Sequence, residues 1–357
     1  MSAEMDPTKI PAIPPPKGVE SNFIDPESQQ PQLIIASAIT LFLVFLGISI
    51  RTYVKAALLR QFDLTDGVLL LCGVLFVAFV SVQIVAGDYG QGRHLWDVTA
   101  ANFSQCLLIL NIIEILYGPT MFAAKYVVLR QIEMVFFKQN RKAFWSAAIR
   151  ILIWANFFFY GAIFLSFVLA CIPREKISNP TLPGMCIDTK ASIIATSAIN
   201  VVSDFTILVT PIAAIWKLQM PLKKKLAAAA VFAVGIVGTL TSIVRLYYSV
   251  ELTLTHDITW AIVPVASWAL GEFASVILVA CFPYFPRLWQ HFTRKDQTSS
   301  YLISDDNTRG SKSKSSKLDN RHWNDSMTAL KTSDREDGVN GSDIPLGDRS
   351  QKIGAAV

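Results

Sequence analysis

Long stretches of this sequence lack charged residues. The segments without any Asp, Glu, Lys or Arg are residues 33–50, 68–86 and 151–170. A helix needs roughly 20 residues to cross the hydrocarbon core of a bilayer, and these segments approach that length. Four further segments are apolar with isolated polar residues, at 106–129, 191–216, 226–248 and 258–282. A single segment could be a buried helix of a soluble core, but seven exclude that class, so the sequence predicts an all-α, polytopic membrane protein with seven transmembrane helices.

The amino terminus lacks the apolar core of a cleavable signal peptide, because the first thirty or so residues are polar and rich in proline. The first span must then act as the insertion signal. The last residues are rich in Ser, Lys and Asp, and they cannot bury enough apolar surface to offset the entropy of ordering. We predict an extracellular Pro-rich tail over residues 1–31, a seven-helix transmembrane domain over 32–286, and a disordered cytoplasmic tail over 287–357.

The Lys and Arg residues of short loops indicate the orientation, because such residues favour the cytoplasm. Arg51, Lys55 and Arg60 follow the first span, and basic residues also follow the third, fifth and seventh spans. The alternate loops contain fewer. The amino terminus is therefore expected outside and the carboxy terminus in the cytoplasm, with the plasma membrane favoured over internal membranes. The net charge of +5 is explained by these loops, and no nucleic-acid partner is expected.

Ionisable residues are rare inside the predicted spans, and those present are Glu114, Lys125, Asp204, Arg245 and Glu272. Each costs about 2.5 to 3.5 kcal/mol at a helix centre, so they should face the bundle interior and form pairs. Their depths predict that Glu114 meets Arg245, and that Lys125 meets Asp204 and Glu272. The second group would carry one excess negative charge, which would hold a proton or attract a cation or a ligand amine.

Two polar residues share a helical stripe with these carboxylates. Asn200 lies four residues before Asp204, and Trp268 lies four before Glu272. One interpretation is a pocket for a polar ligand or an ion. The other is a set of buried ion pairs that fixes the register of the helices. The sequence leaves both open.

Cysteine is scarce, and two of the five cysteines bracket the loop between the fourth and fifth spans. These are Cys171 and Cys186, and they would lie on the oxidising side of the membrane, which predicts a disulfide. Cys106, at the outer end of the third span, is a competing partner. Cys72 and Cys281 are interpreted as apolar residues inside the membrane.

The loop after the second span contains an unusual set of residues: Gly90, Gly92, His94, Trp96 and Asp97. The glycines do not indicate a dinucleotide site, because no strand precedes them. Trp96 suits an anchor at the membrane interface. His94 with Asp97, and His256 with Asp257, are candidate metal ligands, but neither pair has a diagnostic ligand spacing. No metal and no cofactor is therefore predicted.

Several motifs together resemble the fungal rhodopsin-domain integral membrane proteins. The matching residues are Tyr89-Gly90-x-Gly92-x-His94-x-Trp96-Asp97, Lys125, Asn200-x-x-x-Asp204, Ile215-Trp216-x-Leu218-Gln219-Met220, Ser242-Ile243-Val244-Arg245 and Trp268-x-x-x-Glu272. The resemblance covers about residues 30 to 290. It implies a receptor-like seven-helix protein, similar to surface-sensing receptors of plant-pathogenic fungi or to proteins encoded near secondary-metabolite genes.

The resemblance does not imply photochemistry. A retinal Schiff base needs a lysine amine, which rhodopsins carry on the seventh helix, and the seventh span here lacks lysine. The third span also lacks an acidic-Arg-Tyr triplet, and the seventh lacks Asn-Pro-x-x-Tyr. Coupling to G proteins is therefore a likeness of architecture alone.

Three functional classes fit the sequence. A receptor-like sensor of an unknown small-molecule ligand is favoured, embedded in the lipid bilayer with basic inner loops that contact a cytoplasmic signalling protein. A transporter is second, although no internal repeat or broken helix pair is apparent. A membrane enzyme or an accessory protein of secondary metabolism is third. No catalytic residues are predicted, because each intramembrane carboxylate has a basic residue placed to keep it ionised.

Overall fold

The computed structural model describes residues 6, 8–134, 143–179, 182–215 and 222–293. Its seven long helices are α1 (Gln30–Tyr53), α2 (Leu64–Asp88), α3 (Ala100–Ile132), α4 (Ala143–Val168), α5 (Thr189–Ile215), α6 (Leu222–Leu254) and α7 (Ile258–Cys281). Each contains a window long and apolar enough to cross a membrane. The predicted all-α, seven-span fold is confirmed. The predicted tail lies outside the described residues from position 294 onward, and so does the motif at residues 216–220.

Short elements connect the helices. A π-helical turn over Val54–Leu58 extends α1, and 3₁₀ turns form at Leu95–Asp97, Arg174–Ile177 and Phe282–Tyr284. Within the described residues the only sheet has two strands, β1 (Cys171–Ile172) and β2 (Met185–Cys186), which pair antiparallel.

The connections lie on two opposite faces of the bundle. The residues before α1 and the α2–α3, α4–α5 and α6–α7 connections share the first, which we call the amino-terminal face. The other is the carboxy-terminal face, where Arg51 near the end of α1 donates to the Ala280 carbonyl oxygen near the end of α7 at 2.7 Å. Which face is outside the cell stays a prediction.

Side chains cap the first turns of helices, where backbone amide donors would otherwise lack a hydrogen-bond partner. The Thr99 hydroxyl oxygen accepts a bond from the Asn102 amide at 3.3 Å at the start of α3. At the start of α2, Asp63 and Asp66 form a capping box. Pro119 and Pro264 lie inside α3 and α7, where each removes one backbone donor.

The apolar side chains divide between lipid and interior. Large residues such as Phe42, Phe45 and Val74 are 65 %, 73 % and 66 % exposed, which a bilayer would cover. In the interior, the ring of Phe273 on α7 contacts three aromatic rings, those of Phe76, Phe79 and Tyr117, at 5.1 to 5.6 Å between centroids. This aromatic cluster packs α2, α3 and α7 beside the polar site.

The residues before α1 pair with the α2–α3 connection at two places. The Ala12 amide donates to the Val98 carbonyl at 2.9 Å, and the Gln29 amide donates to the Gly92 carbonyl at 2.8 Å. We call residues 8–29 the amino-terminal segment. It is therefore held against the amino-terminal face by main-chain bonds.

Candidate functional site

Six polar residues from four helices meet in the bundle interior and form what we call the central network. α3 provides Lys125, α5 provides Asn200 and Asp204, α6 provides Ser242 and Arg245, and α7 provides Glu272. None is more than 7 % exposed. Since charged groups in a bilayer must pair, the sequence places them on the faces where these helices meet.

The first ion pair joins α3 to α5. Lys125 Nζ lies 2.6 Å from Asp204 Oδ1. The Ser242 hydroxyl donates a short hydrogen bond to the other oxygen of the same carboxylate. The predicted contact between Lys125 and Asp204 is therefore present, and α6 joins it through a residue that the sequence analysis named only within a motif.

The second ion pair joins α6 to α7. Arg245 Nε lies 2.9 Å from Glu272 Oε2, although these two atoms do not meet hydrogen-bond geometry. Arg245 Nη2 donates to the Tyr117 hydroxyl on α3 at 2.8 Å. The Arg245 guanidinium also lies 4.9 Å from the centre of the Tyr117 ring, a cation–π contact.

Asn200 connects the two ion pairs. Its amide nitrogen donates to Asp204 Oδ2 at 3.3 Å and, more closely, to Glu272 Oε1. Its amide oxygen accepts from Lys125 Nζ at 2.8 Å and from the Tyr160 hydroxyl at 2.5 Å. All four hydrogen-bonding positions of this amide are used. One side chain therefore holds together α3, α4, α5 and α7.

The predicted grouping of the charges was wrong in two respects. Glu272 pairs with Arg245, so two cations balance two carboxylates and the group around Lys125 has no excess charge. Glu114 is partly buried and, among the described residues, forms no ion pair, although Arg245 acts on it from a longer distance. Depth along a helix gives the height of a side chain but not the direction in which it points.

Trp268 lies outside the network. Its side chain is 37 % exposed although Glu272, one turn later, is fully buried. Residues four apart differ by about 40° around a helix, which is enough to turn one of them away from the interior. The expected stripe of Trp268 and Glu272 is therefore corrected.

The loop after α2 is attached to the start of α7. The His94 ring is stacked between those of Trp96 and Trp260, at 4.4 and 3.9 Å between centroids. His94 Nδ1 lies 2.6 Å from Asp257 Oδ2, and Asp257 Oδ1 accepts from the Leu95 amide at 2.9 Å. The two loops that carry the candidate metal ligands contact each other, but they do so through ring stacking and hydrogen bonds.

The other residues of this loop have structural contacts. The Asp97 carboxylate does not pair with the His94 ring but accepts from the Asn22 amide at 2.8 Å. Gly90 and Gly92 have φ values of +109° and +90°, a region that favours glycine. Among the described residues, no three His, Cys, Asp or Glu side chains are arranged to hold a metal ion.

The predicted disulfide is confirmed. Cys171 and Cys186 are bonded and close the α4–α5 connection, where β1 pairs with β2. Cys106 is a buried free thiol, which removes the competing pairing. From this closed loop, Arg174 Nη2 reaches Asn111 Oδ1 on α3 at 3.4 Å.

A second buried ionic cluster was not predicted as a site. We call it the carboxy-terminal cluster, and its members are Arg51, Lys55, Asp66 and Tyr284. Asp66 lies 2.8 Å from Arg51 and 2.7 Å from Lys55, and all three are at most 5 % exposed. The Tyr284 ring lies 5.0 Å from the Arg51 guanidinium.

In the sequence, Arg51 and Lys55 were interpreted only as basic loop residues that indicate the orientation in the membrane. The π-helical turn over Val54–Leu58 lets Lys55 reach Asp66 inside the fold, and such turns are frequent at functional sites. The available signal was Asp66 itself, an acidic residue at the edge of an uncharged stretch, close to two cations.

The fold and the buried charges define a class, that of seven-helix membrane proteins with a polar network in the bundle. The sequence model of the fungal rhodopsin domain matches residues 50–291, and the chain belongs to this family. No solved structure matches the chain.

Two relatives are similar over most of the helical domain. A "SAT4 family membrane protein" of Emericella nidulans is 36 % identical over 238 residues, which is 67 % of this chain and 59 % of the relative. A "Fugralins biosynthesis cluster protein 2" of Gibberella zeae is 25 % identical over 298 residues, 78 % of this chain and 70 % of the relative. The chain thus spans less than two thirds of the first relative's length.

Proposed function

We propose that the protein is a receptor-like membrane protein in which the central network responds to a ligand. The observation that carries this proposal is the way Asn200 joins two buried ion pairs on α3, α5, α6 and α7. A ligand that changes one pair changes the partners of the other, so helix positions are coupled. The effect reaches the carboxy-terminal face, where a cytoplasmic signalling protein would read it.

The proposed orientation places the amino-terminal face outside the cell, in the plasma membrane. The disulfide between Cys171 and Cys186 lies on that face, and disulfides persist in oxidising compartments. Basic residues concentrate in the connections of the opposite face. Both observations support the same orientation.

The proposed mechanism uses no retinal and no catalytic step. Lys125, the lysine within α3, is fully buried and lies 2.6 Å from Asp204. An ammonium held in an ion pair is a poor nucleophile, because Schiff-base formation needs the neutral amine. The Asp204 and Glu272 carboxylates are likewise engaged with cations, which disfavours their use as general acids.

A second candidate is an accessory role in the biosynthesis of a secondary metabolite. This role is favoured by the name of the Gibberella zeae relative, a biosynthesis cluster protein. Both candidates use the same network, and they differ in what the chain contacts. Affinity purification from native membranes distinguishes them: a signalling protein supports the receptor, and a biosynthetic enzyme supports the accessory role.

The test of the proposed function removes each ion pair as a neutral unit in a strain that lacks the gene. The variants are Lys125→Met with Asp204→Asn, and Arg245→Met with Glu272→Gln. Removing both partners of a pair leaves neither of them as a stranded charge, so both variants should fold and reach the membrane. We expect both to fail to restore the phenotype of the deletion strain.

The matched control removes an exposed ion pair of the same type. Lys9→Met with Asp6→Asn eliminates a pair at 4.0 Å that lies before α1, and it should restore the phenotype fully. If the network variants are folded, reach the membrane and restore the phenotype as well as this control does, the network is only a scaffold and the proposed function is wrong.

A further inference from the structure

Glu114 is a carboxylate inside a membrane-spanning helix without a partner of its own. Among the described residues, no hydrogen bond or ion pair reaches its side chain, and the cation that acts on it, Arg245, is already 2.9 Å from Glu272. Glu114 and the central network together contain three carboxylates and two cations. An isolated charge in a bilayer is costly, so a further positive charge beside Glu114 would be favourable.

Protonation of Glu114 is the alternative to a bound cation. It would remove the charge and place an O–H donor there instead. A cationic group with N–H donors supplies both the missing charge and the missing hydrogen bonds.

Polar residues on α3 lead from the amino-terminal face to Glu114. Asn111, Glu114 and Tyr117 follow one another at intervals of three residues, so each lies about 4.5 Å deeper than the one before and is turned by about 60° around the helix. The three residues therefore lead from the side of α3 that faces α4 to the side that faces α6 and α7. Tyr117, at the lower end, bonds to Arg245 in the central network. Asn111, at the upper end, accepts from Arg174 of the disulfide-closed loop.

The Arg174 guanidinium shows that a cation fits the upper end of these residues. Arg174 is exposed, and its bond to Asn111 is 3.4 Å long, beyond the usual 2.7 to 3.2 Å. The contact is therefore weak and easily exchanged. A cation that enters from the same face would displace it and reach Glu114 one turn deeper.

We propose that Glu114 binds the ammonium group of an amine ligand, which enters between α3 and the disulfide-closed loop and displaces Arg174 from Asn111. The inference rests on the proposed receptor-like function and names the charged group of its ligand. Because Tyr117 lies one turn below Glu114 and holds Arg245, the bound ammonium lies next to the central network. The rest of the ligand is apolar, since the surrounding helices are.

The probe is hexylammonium chloride, added to the purified full-length protein. Thermal unfolding is followed with a thiol-reactive dye, because Cys72, Cys106 and Cys281 are buried and become reactive on unfolding. A ligand that binds only the folded state raises the Tm in a saturable way. Hexanol and sodium hexanoate, which match the alkyl chain without the ammonium, should give no saturable rise.

Two variants should change the amine response in opposite directions. Glu114→Gln should weaken hexylammonium binding at least about tenfold, since it removes a charge-assisted hydrogen bond. Arg174→Gln should lower the amine concentration needed for half of the Tm rise, because it removes the competing cation. If Glu114→Gln folds poorly, the Arg174→Gln titration alone still decides, since an unchanged midpoint contradicts displacement.

The proposal is overturned if wild type and both variants respond alike to hexylammonium. It is also overturned if infrared spectra show a protonated carboxyl band that Glu114→Gln removes while the amine has no effect, since the missing charge is then a proton. Neither result touches the complementation test of the central network. Loss of the amine response with intact network dependence would mean a receptor for another ligand.

Discussion

The two buried ionic groups of this protein differ in what holds their charges. In the carboxy-terminal cluster, Asp66 accepts from Arg51, from Lys55 and from the Asp63 backbone amide, and Arg51 also donates to the Ala280 backbone. In the central network, the charged groups bond mainly to other side chains, and the bond from Lys125 to the Asn200 carbonyl is long, at 3.4 Å. The contact between Arg245 Nε and Glu272 Oε2 does not meet hydrogen-bond geometry. Charges attached to the backbone hold helix ends in place, whereas charges joined through one amide can exchange partners.

The largest expected effect is at Asp66. Asp66→Asn removes the carboxylate that pairs with both Arg51 and Lys55. Lys55 keeps its contact with Asp63 at 2.9 Å, but the buried Arg51 guanidinium loses its carboxylate partner. We expect a loss of about 3 to 5 kcal/mol in the free energy of unfolding, seen as a strongly lowered Tm of the purified protein. The control is Asp63→Asn, since the Asp63 side chain is 54 % exposed and asparagine still caps a helix. Equal effects of the two changes would mean that the cluster does not anchor the helices.

The next effect tests whether the ion pairs of the central network stabilise the fold through direct interaction of their side chains. Lys125→Met alone strands Asp204 and should cost about 3 kcal/mol, while adding Asp204→Asn should recover much of the loss. The Tm values of the two single variants and the double variant give the coupling. Simple additivity would contradict a direct interaction between these side chains.

A smaller effect compares the two arginines directly. Arg51 uses Nε and Nη2 on Asp66 and Nη1 on Ala280, a geometry that lysine cannot reproduce. Arg245 makes one hydrogen bond, to Tyr117. Arg51→Lys should therefore lower stability by about 2 kcal/mol, and Arg245→Lys by less, because losses follow the number of charged hydrogen bonds removed. The reverse order of Tm values would refute the contrast between a fixed and an exchangeable group.

The smallest effects come from removing single hydroxyl groups. Tyr160→Phe loses the bond to Asn200 at 2.5 Å and should cost about 1 kcal/mol. Tyr284→Phe loses only a 3.4 Å contact with Gln131 and keeps the ring beside Arg51, so it should stay within about 0.5 kcal/mol of wild type. A larger loss for Tyr284→Phe would show that its hydroxyl stabilises the cluster.

The helices could be predicted because a bilayer imposes one simple rule, long uncharged segments, on the sequence. Their ends could not. α6 was expected over 226–248 and extends over Leu222–Leu254, since a helix continues beyond the hydrocarbon core wherever its backbone remains paired. The disulfide could be predicted because two of the five cysteines bracket one loop, which the basic residues of the other loops predict to be on the oxidising side.

The members of the site could be predicted, but of their ion pairs only the one between Lys125 and Asp204 was. Ionisable residues inside apolar segments identify themselves by their cost, which selected Lys125, Asp204, Arg245 and Glu272. Which side chains form ion pairs depends on how each helix is rotated about its axis, and the local sequence does not encode that rotation. For this reason the predicted pairing of Glu114 with Arg245 was wrong. Arg51 and Lys55 were missed because residues at the end of an apolar segment read as loop residues, whether they point to water or into the fold.

The bonds between the amino-terminal segment and the α2–α3 connection also impose an order of events during biosynthesis. Ala12 leaves the ribosome long before Val98, its hydrogen-bond partner. At about 5 to 20 residues per second, the segment waits for several seconds before its partner arrives. During that interval its backbone donors are open to other molecules. The partner residues lie between α2 and α3, so closure of the segment marks the moment at which the first two helices are in place.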